Sequence, residues 1–134
     1  MKNLDDYVLF EPKHGFESRN IGAGGPFLET DKGWLMIYHA VEDTNRGKTY
    51  HAGAALLSKN NPTKVLGRLS KPLFSPTEDY ELKGDVNNVV FPTAQILFGD
   101  KLYIYYGAAD KRIAVASCSL TELLNELLIV DTIL

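Results

Sequence analysis

The sequence predicts an all-β fold with one helix near its C-terminal end. Turn signals punctuate the 134 residues at short intervals, and the runs between them are rich in β-branched and aromatic residues. Two of these runs repeat one another along the chain. A stripe of leucines at helical spacing follows the last run. Several short strands at this spacing are typical of a sandwich, barrel or propeller.

The turn signals separate the predicted strands from one another. They include Asp31-Lys32-Gly33, Asn45-Arg46-Gly47, Asn60-Asn61-Pro62, Ser75-Pro76 and Gly99-Asp100. The predicted strands cover residues 26–29, 34–41, 50–58, 65–69, 86–97, 102–108 and 113–119.

An internal repeat favours a propeller among these architectures. Residues 33–40 (GWLMIYHA) match residues 100–107 (DKLYIYYG) at an offset of 67, and the flanking segments match at offsets of 66 and 61. Constant strand order with a drifting offset predicts repeated four-stranded units, as in propeller blades. Leu35 and Ile37 point to one side of their strand and Met36 and Tyr38 to the other, so both faces are expected to be buried.

Two repeats cannot close a propeller, because each blade buries its faces against its neighbours. Three interpretations follow: a fragment, part of an assembly, or another β-fold with a duplicated hairpin. We take the fragment as the working hypothesis. Residues 1–134 are then a single partial β-propeller domain of about two blades plus a helix over 120–128.

The helix is predicted from its start signal and its apolar stripe. Ser119 and Glu122 have the spacing of a capping box, in which each side chain binds the other's backbone N–H. The stripe indicates a helix that docks on the last strands; its members are Leu120, Leu123, Leu124, Leu127 and Leu128. The tail 129–134 is apolar and fits a closing strand as well. Cys118 is expected to be a buried core thiol.

Composition excludes several classes of function. The net charge is −3 and no Lys/Arg-rich run occurs, which predicts neither a nucleic-acid nor a membrane-surface partner. The apolar runs are too short to span a bilayer. The acidic N-terminal segment carries no export signal, so a cytoplasmic location is expected unless a preceding segment supplies one. His14, His39 and His51 lack metal-ligand spacing, and no metal or cofactor is predicted.

Several motifs, in one order, carry a resemblance to a known family. They are residues 21–24 (IGAG), 33–39 (GWLMIYH), 54–57 (AALL), 84–92 (GDVNNVVFP) and 105–110 (YYGAAD). This pattern resembles glycoside hydrolase family 130 over roughly residues 14–128. The resemblance implies the C-terminal blades of a five-bladed β-propeller that acts on β-mannosides. It also implies that the general acid, an aspartate, and two phosphate-binding arginines lie upstream, so no catalytic residue is expected in this chain.

The resemblance assigns roles to individual residues. His39 and Tyr50 match phosphate-contacting positions, Asp110 matches a carboxylate that binds mannose hydroxyls, and Phe91 matches an aromatic that lines the sugar site. Hydrogen-bond donors suit an oxyanion, and a carboxylate accepts two hydroxyl protons at once. From local sequence alone, His39 and Phe91 fit core positions and Asp110 fits a turn.

Asn20 departs from the family pattern, which has lysine immediately before Ile-Gly-Ala-Gly. Asparagine at this candidate phosphate position removes a positive charge that favours a dianion. In an extended segment Arg19 and Glu17 point to the opposite face, so neither replaces the lysine. The glycines of residues 21–25 lack a strand-loop-helix context and indicate tight backbone geometry near a ligand or a blade edge.

Three functions therefore stay open. The first is an inverting phosphorylase that uses inorganic phosphate as co-substrate on a mannose-containing oligosaccharide. The second is a hydrolase in which water replaces phosphate, and the third is a non-catalytic sugar-binding or interaction module. An upstream segment or a second chain would complete the propeller.

Overall fold

The structure, a computed structural model, describes residues 7–132, with side chains through Ile129. These residues form two antiparallel sheets, a 3-10 turn and two helices. In chain order the elements are the 3-10 turn Gly15–Glu17, β1 Asn20–Ala23, β2 Leu28–Thr30, β3 Gly33–Thr44, β4 Gly47–Leu57, β5 Val65–Arg68, α1 Asp79–Leu82, β6 Val90–Phe98, β7 Lys101–Ala108, β8 Arg112–Ser119 and α2 Leu120–Thr132.

The first sheet has the order β1-β3-β4-β5, and β2 pairs with β3 beyond the end of β1. Its centre is the β3–β4 hairpin, in which Thr44 faces Gly47 across the turn Asn45-Arg46. Gly47 has φ +100°, a conformation that glycine adopts without a steric cost. The predicted turns at residues 31–33 and 45–47 are confirmed, and both central strands run longer than predicted.

The second sheet is a meander of β6, β7 and β8 within the described residues. The predicted strand 86–97 begins only at Val90, because residues 86–88 form a loop. Pro92 lies in β6, which pairs with β7 alone in its sheet. An edge strand tolerates the missing N–H of proline.

The two sheets and α2 share one core. The inner face of the first sheet, which carries Leu35, Ile37 and His39, packs towards the second sheet and α2. The main core cluster consists of Leu35, Ile37, Ala54, Leu56, Leu69, Leu102, Ile104, Leu120, Leu123, Leu124 and Leu127. The outer face of the first sheet, with Met36 and Tyr38, is covered by the segment before β1. The first sheet is therefore apolar and buried on both faces, as predicted.

One face of the second sheet is open in the part of the chain that the structure describes. Ile113 is 87% exposed and Phe98 is 69% exposed, and Ile96 and Val115 are also exposed. This sheet has three described strands, whereas the repeat predicted four-stranded units.

The internal repeat has a different register from the one that sequence matching suggested. Tyr38 of β3 and Tyr106 of β7 are both buried, and each donates its hydroxyl hydrogen to a buried glutamate, Glu17 or Glu81. Each glutamate is the third residue of a short capped turn. Tyr38 therefore corresponds to Tyr106, an offset of 68, whereas the sequence match paired it with Tyr105. The sequence match was wrong by one residue because burial of one face, not local similarity, sets strand register.

Helix α2 begins where the capping signal placed it. The Glu122 N–H donates to Ser119 Oγ at 3.2 Å, and Ser119 Oγ–H donates to Asp100 Oδ2 at 2.5 Å. Asp100 also accepts from the N–H and hydroxyl of Thr121, so this carboxylate from the β6–β7 turn takes a large share of the capping. The helix continues to Thr132, so the suggested closing strand is wrong for residues 129–132; residues 133 and 134 lie outside the described range.

Cys118 is half-buried against the main core, and burial raises the pKa of its thiol, which disfavours the reactive thiolate. Within residues 7–132, no helix has the length and hydropathy to cross a bilayer.

Candidate functional site

The inner face of the first sheet brings the sequence-predicted residues of β3 and β4 together. His39 faces Gly22 of β1 and Ala52 of β4, and Val41 faces Tyr50. Cross-strand partners lie on the same face of an antiparallel sheet, and residues two apart on a strand share that face. His39 and Tyr50 are therefore neighbours on the inner face, on the side towards β6.

Three aromatic rings meet where this face approaches β6. The His39 ring stacks on Phe91 with 4.3 Å between centroids and an angle of 27°. Tyr50 lies 6.1 Å from His39 and 6.3 Å from Phe91. The structure thus joins three residues that were predicted separately, from three different strands.

Gly22 makes room for the histidine. A Cβ placed on Gly22 would lie 2.3 Å from His39 Cε1 and 2.4 Å from Nε2, closer than atoms can approach. This close contact explains why position 22 requires glycine. It agrees with the prediction of tight backbone geometry at residues 21–25.

The surroundings of His39 favour its neutral form. Burial lowers the pKa of His39, and a hydrogen bond to the Ala23 backbone only partly opposes this effect. Its Nδ1 atom is buried without a hydrogen-bond partner among the described residues. A buried polar atom without a partner is rare in folded proteins. Nδ1 therefore has unused hydrogen-bonding capacity, and the lowered pKa favours the neutral imidazole over the cation.

Replacing His39 by glutamine is expected to make stability less sensitive to acid. Because the folded-state pKa is lowered, the contribution of His39 is fully present above pH 6.5 and is lost as the pH falls through the folded-state value. The change is at most about 1.4 kcal/mol per pH unit. Urea unfolding at pH 7.5 and 5.5 measures it. The same measurement on His14→Gln gives the comparison, because burial also lowers the pKa of His14. An unchanged pH slope in His39→Gln contradicts the assignment.

Tyr50, Phe91 and Asp110 line one open pocket of about 260 Å³. The rest of its lining comes from Val86 and Val89, in the loop before β6, and from Gly107 of β7. Tyr50 is tied to the same loop, since its N–H donates to the Asn88 carbonyl at 2.9 Å. The pocket combines apolar walls with one carboxylate and one phenol, a composition that suits a polar ligand with an apolar face.

Asp110 occupies the turn that connects β7 with β8. Ala109 and Asp110 have φ of 51° and 53°, and the Lys111 N–H donates to the Ala108 carbonyl at 3.1 Å. This is the left-handed region, which costs an ordinary residue about 1–2 kcal/mol. Asp110 is therefore a turn residue, as the local sequence indicated, and it also lines the pocket.

Asn20 and His39 do not line this pocket. Asn20 is exposed at the start of β1, opposite Val41 and two positions from Gly22. Its neighbour Arg19 forms a surface ion pair with Asp43 at 3.3 Å. The structure thus brings four of the five predicted residues together and leaves Asn20 at the margin.

A buried ion pair on the outer face was not predicted. Glu17 is fully buried and accepts hydrogen bonds from Arg68 Nη2 at 2.8 and 3.0 Å, from the Tyr38 hydroxyl, and from the N–H groups of Lys13 and His14. Glu17 therefore lies on the opposite face of the first sheet from the pocket, although it belongs to a 3-10 turn and not to the extended segment that the alternation argument assumed. It serves to anchor the segment before β1.

A second polar chain lies on that outer face. His51 Nδ1 is 2.7 Å from Ser75 Oγ, and Nε2 is 2.9 Å from Glu42 Oε1. His51 is only 7% exposed and belongs to the face of β4 opposite Tyr50. The contacts join β3, β4 and the segment after β5, and no local sequence pattern indicated them.

A sequence profile described as beta-1,4-mannooligosaccharide phosphorylase matches residues 4–128. The chain belongs to glycoside hydrolase family 130.

Relatives with known activities share much of this sequence. The chain is 44% identical over 103 residues to a beta-1,2-mannobiose phosphorylase from Thermoanaerobacter, a match that covers 77% of this chain and 33% of the relative. A solved structure of beta-1,2-mannobiose phosphorylase from Listeria innocua, in complex with beta-1,2-mannobiose, superposes with a TM-score of 0.78 at 38% identity, covering 85% of this chain and 31% of that one.

Another solved structure is described with hydrolases of the same family, which target beta-1,2 mannosidic linkages in Candida mannan. Its TM-score is 0.74 at 33% identity, with 84% of this chain and 34% of that chain covered. The chain spans about a third of the length of the curated relatives it matches.

Proposed function

We propose that this chain forms the sugar- and phosphate-facing wall of an inverting β-mannoside phosphorylase. The observation that carries the proposal is the convergence of Tyr50, Phe91 and Asp110 on one pocket, with His39 stacked on Phe91. Family membership supports β-mannosides as the substrate class, since the relatives from Thermoanaerobacter and Listeria innocua named above are beta-1,2-mannobiose phosphorylases.

The sugar side of the proposal rests on Phe91 and Asp110. An exposed aromatic ring covers the apolar face of a sugar, and a carboxylate accepts hydrogen bonds from two adjacent hydroxyls. Both side chains line the pocket. In this arrangement Phe91 fixes the plane of the mannose ring, and Asp110 fixes how the ring is rotated within that plane.

The phosphate side rests on His39 and Tyr50, with Asn20 at the margin. The Tyr50 phenol donates a hydrogen bond to an oxyanion without adding charge, and His39 donates one when its unpartnered Nδ1 carries a proton. Phosphate oxygen then attacks the anomeric carbon, the bond to the leaving sugar breaks, and the leaving oxygen takes a proton from an acid outside this chain. The anomeric configuration inverts, and mannose 1-phosphate is the product.

Hydrolysis is the second candidate. Among the described residues, those that line the pocket include one carboxylate and no lysine or arginine. A neutral-to-negative site disfavours a phosphate dianion and suits water as the attacking group. The solved relative described with the family's hydrolases supports the same alternative.

The proposed architecture is two neighbouring blades of a five-bladed propeller. The first sheet is buried on both faces, and the second sheet repeats its Tyr–Glu contact. Residues 1–134 then form one partial domain. The open face of the second sheet, around Phe98 and Ile113, is where a further blade from an upstream segment or a second chain would pack.

Incubation of β-mannobiose with and without inorganic phosphate tests the function, using this chain and a product extended upstream. Mannose 1-phosphate formed only with phosphate supports the phosphorylase. Free mannose formed regardless of phosphate supports the hydrolase. Binding without turnover by both proteins supports a sugar-binding module. Turnover by the short chain alone contradicts the placement of the acid outside it.

Replacing Asp110 by asparagine is expected to weaken β-mannobiose binding by about tenfold, because the amide loses one acceptor and the charge that strengthens both hydrogen bonds. Isothermal titration calorimetry of the full chain measures the affinity. Asp31→Asn, in the exposed turn before β3, is the matched control and should bind as the parent does. Equal affinity of the Asp110 variant removes this residue from the site.

A further inference from the structure

The turn that presents Asp110 is held by contacts from outside as well as by its own hydrogen bond from the Lys111 N–H to the Ala108 carbonyl. Ala109 and Asp110 both adopt left-handed backbone conformations, which alanine disfavours in the absence of external contacts. Such conformations persist where the surrounding structure determines them. The contacts around Ala109 therefore decide where the Asp110 carboxylate lies.

Ala109 is fully buried and bracketed by the loop before β6. Its N–H donates to the Val89 carbonyl at 2.9 Å, and its carbonyl accepts from the Val86 N–H at 3.1 Å. Val86 and Val89 themselves line the pocket. One loop thus supplies a wall of the pocket and fixes the backbone of the turn that carries Asp110.

Gly84 lies against this turn at a distance that only glycine permits. A Cβ on Gly84 would be 2.4 Å from the Ala109 carbonyl oxygen and 2.6 Å from the Ala109 Cβ. The φ of Gly84 is not in the left-handed region, so the requirement comes from contact rather than from backbone freedom. The Gly84 N–H donates to Asn87 Oδ1 at 3.2 Å, which closes the loop locally.

Hydrogen bonds to Glu81 anchor the start of the loop. This carboxylate accepts the N–H groups of Thr77 and Glu78, each at 2.9 Å, and the Tyr106 hydroxyl from β7. The Val89 N–H donates to the Glu81 carbonyl at 3.1 Å. The loop is therefore fixed to the same strand, β7, that leads into the turn at Ala109.

We propose that Gly84 is a positioning residue, whose missing side chain lets the loop of residues 84–89 press on Ala109 and hold the Asp110 carboxylate at the pocket. The effect on sugar binding rests on the proposed function, because it needs Asp110 to contact the ligand. The effect on the turn does not rest on it.

Gly84→Ala in the full chain tests the proposal, with Gly15→Ala as the matched control, since a Cβ at Gly15 meets nothing within 4 Å. Nuclear magnetic resonance follows the amide and Cα shifts and the φ-dependent couplings of residues 109–111. Gly84→Ala is expected to move these signals and to weaken β-mannobiose binding about tenfold, with thermal unfolding still cooperative. Gly15→Ala should change neither. Unmoved signals at residues 109–111 overturn the proposal.

A milder variant covers the case in which Gly84→Ala does not fold. Asn87 is exposed, and Asn87→Ala removes only its hydrogen bond to the Gly84 N–H. The same signals are expected to shift by a smaller amount, with binding about twofold to threefold weaker. Unchanged signals in Asn87→Ala count against the proposal. If the parent chain binds no mannoside while the turn signals still move, the proposed function fails and the positioning role of Gly84 stands.

Discussion

Replacing Arg68 by methionine is expected to lower the free energy of unfolding by about 3–5 kcal/mol. Glu17 is fully buried, and Arg68 supplies its only charged partner among the hydrogen bonds described. Methionine keeps an apolar stem but removes the guanidinium, which lies 4.0 Å from the centre of the Phe10 ring, and leaves the carboxylate uncompensated. Urea unfolding measures the loss. Arg19→Met, which removes the exposed pair with Asp43, should cost about 1 kcal/mol or less.

The pH dependence of this loss identifies its origin. Burial alone raises the pKa of Glu17, but hydrogen bonds from Tyr38, Lys13 and His14 and the charge of Arg68 outweigh burial and hold the pKa below 4.5. The ionised carboxylate therefore stabilises the fold above about pH 4.5, and that contribution is lost as the pH falls through the folded-state value. Arg68→Met should weaken this dependence, and Glu17→Gln in addition should restore part of the stability. A double variant no more stable than Arg68→Met refutes the buried-charge explanation.

Truncating Leu127 to alanine is expected to cost about 2–5 kcal/mol, because the side chain is fully buried between α2 and both sheets and its loss leaves a cavity. Thermal or urea unfolding measures the change. Ile129→Ala, two residues along the same helix at a side chain that is 55% exposed, is the control and should cost about 0.5 kcal/mol or less. Similar losses in the two variants show that α2 does not dock through the predicted stripe.

Elements with a strong local signal were predictable from sequence. The hairpin of β3 and β4 follows from apolar runs around Asn45-Arg46-Gly47, and the start of α2 follows from Ser119 and Glu122. β1 was not predicted, since Gly22 and its glycine-rich surroundings lower strand propensity. The strand forms because β3 offers a pairing partner, and the missing side chain of Gly22 leaves room for the His39 ring. The end of α2 was missed because the apolar tail fits a strand or a helix equally well.

The candidate site was predictable only in part. The resemblance named His39, Tyr50, Phe91 and Asp110, and the structure brings them into one region. Local sequence could not show that Glu17 and Glu81 are buried, because each depends on a tyrosine from a later strand. Acidic residues in capped turns are usually exposed, so the burial of these two glutamates could be recognised only from the tertiary structure.

The two Tyr–Glu pairs also bear on the order in which the chain folds. Tyr38 reaches Glu17 across 21 residues, and Tyr106 reaches Glu81 across 25. Contacts of such short sequence separation close at a small entropic cost and favour rapid folding. In each sheet the central strand can therefore bind the glutamate-bearing turn that precedes it soon after that strand leaves the ribosome. The first sheet can then be in place as a template when the second sheet and α2 emerge to cover its inner face.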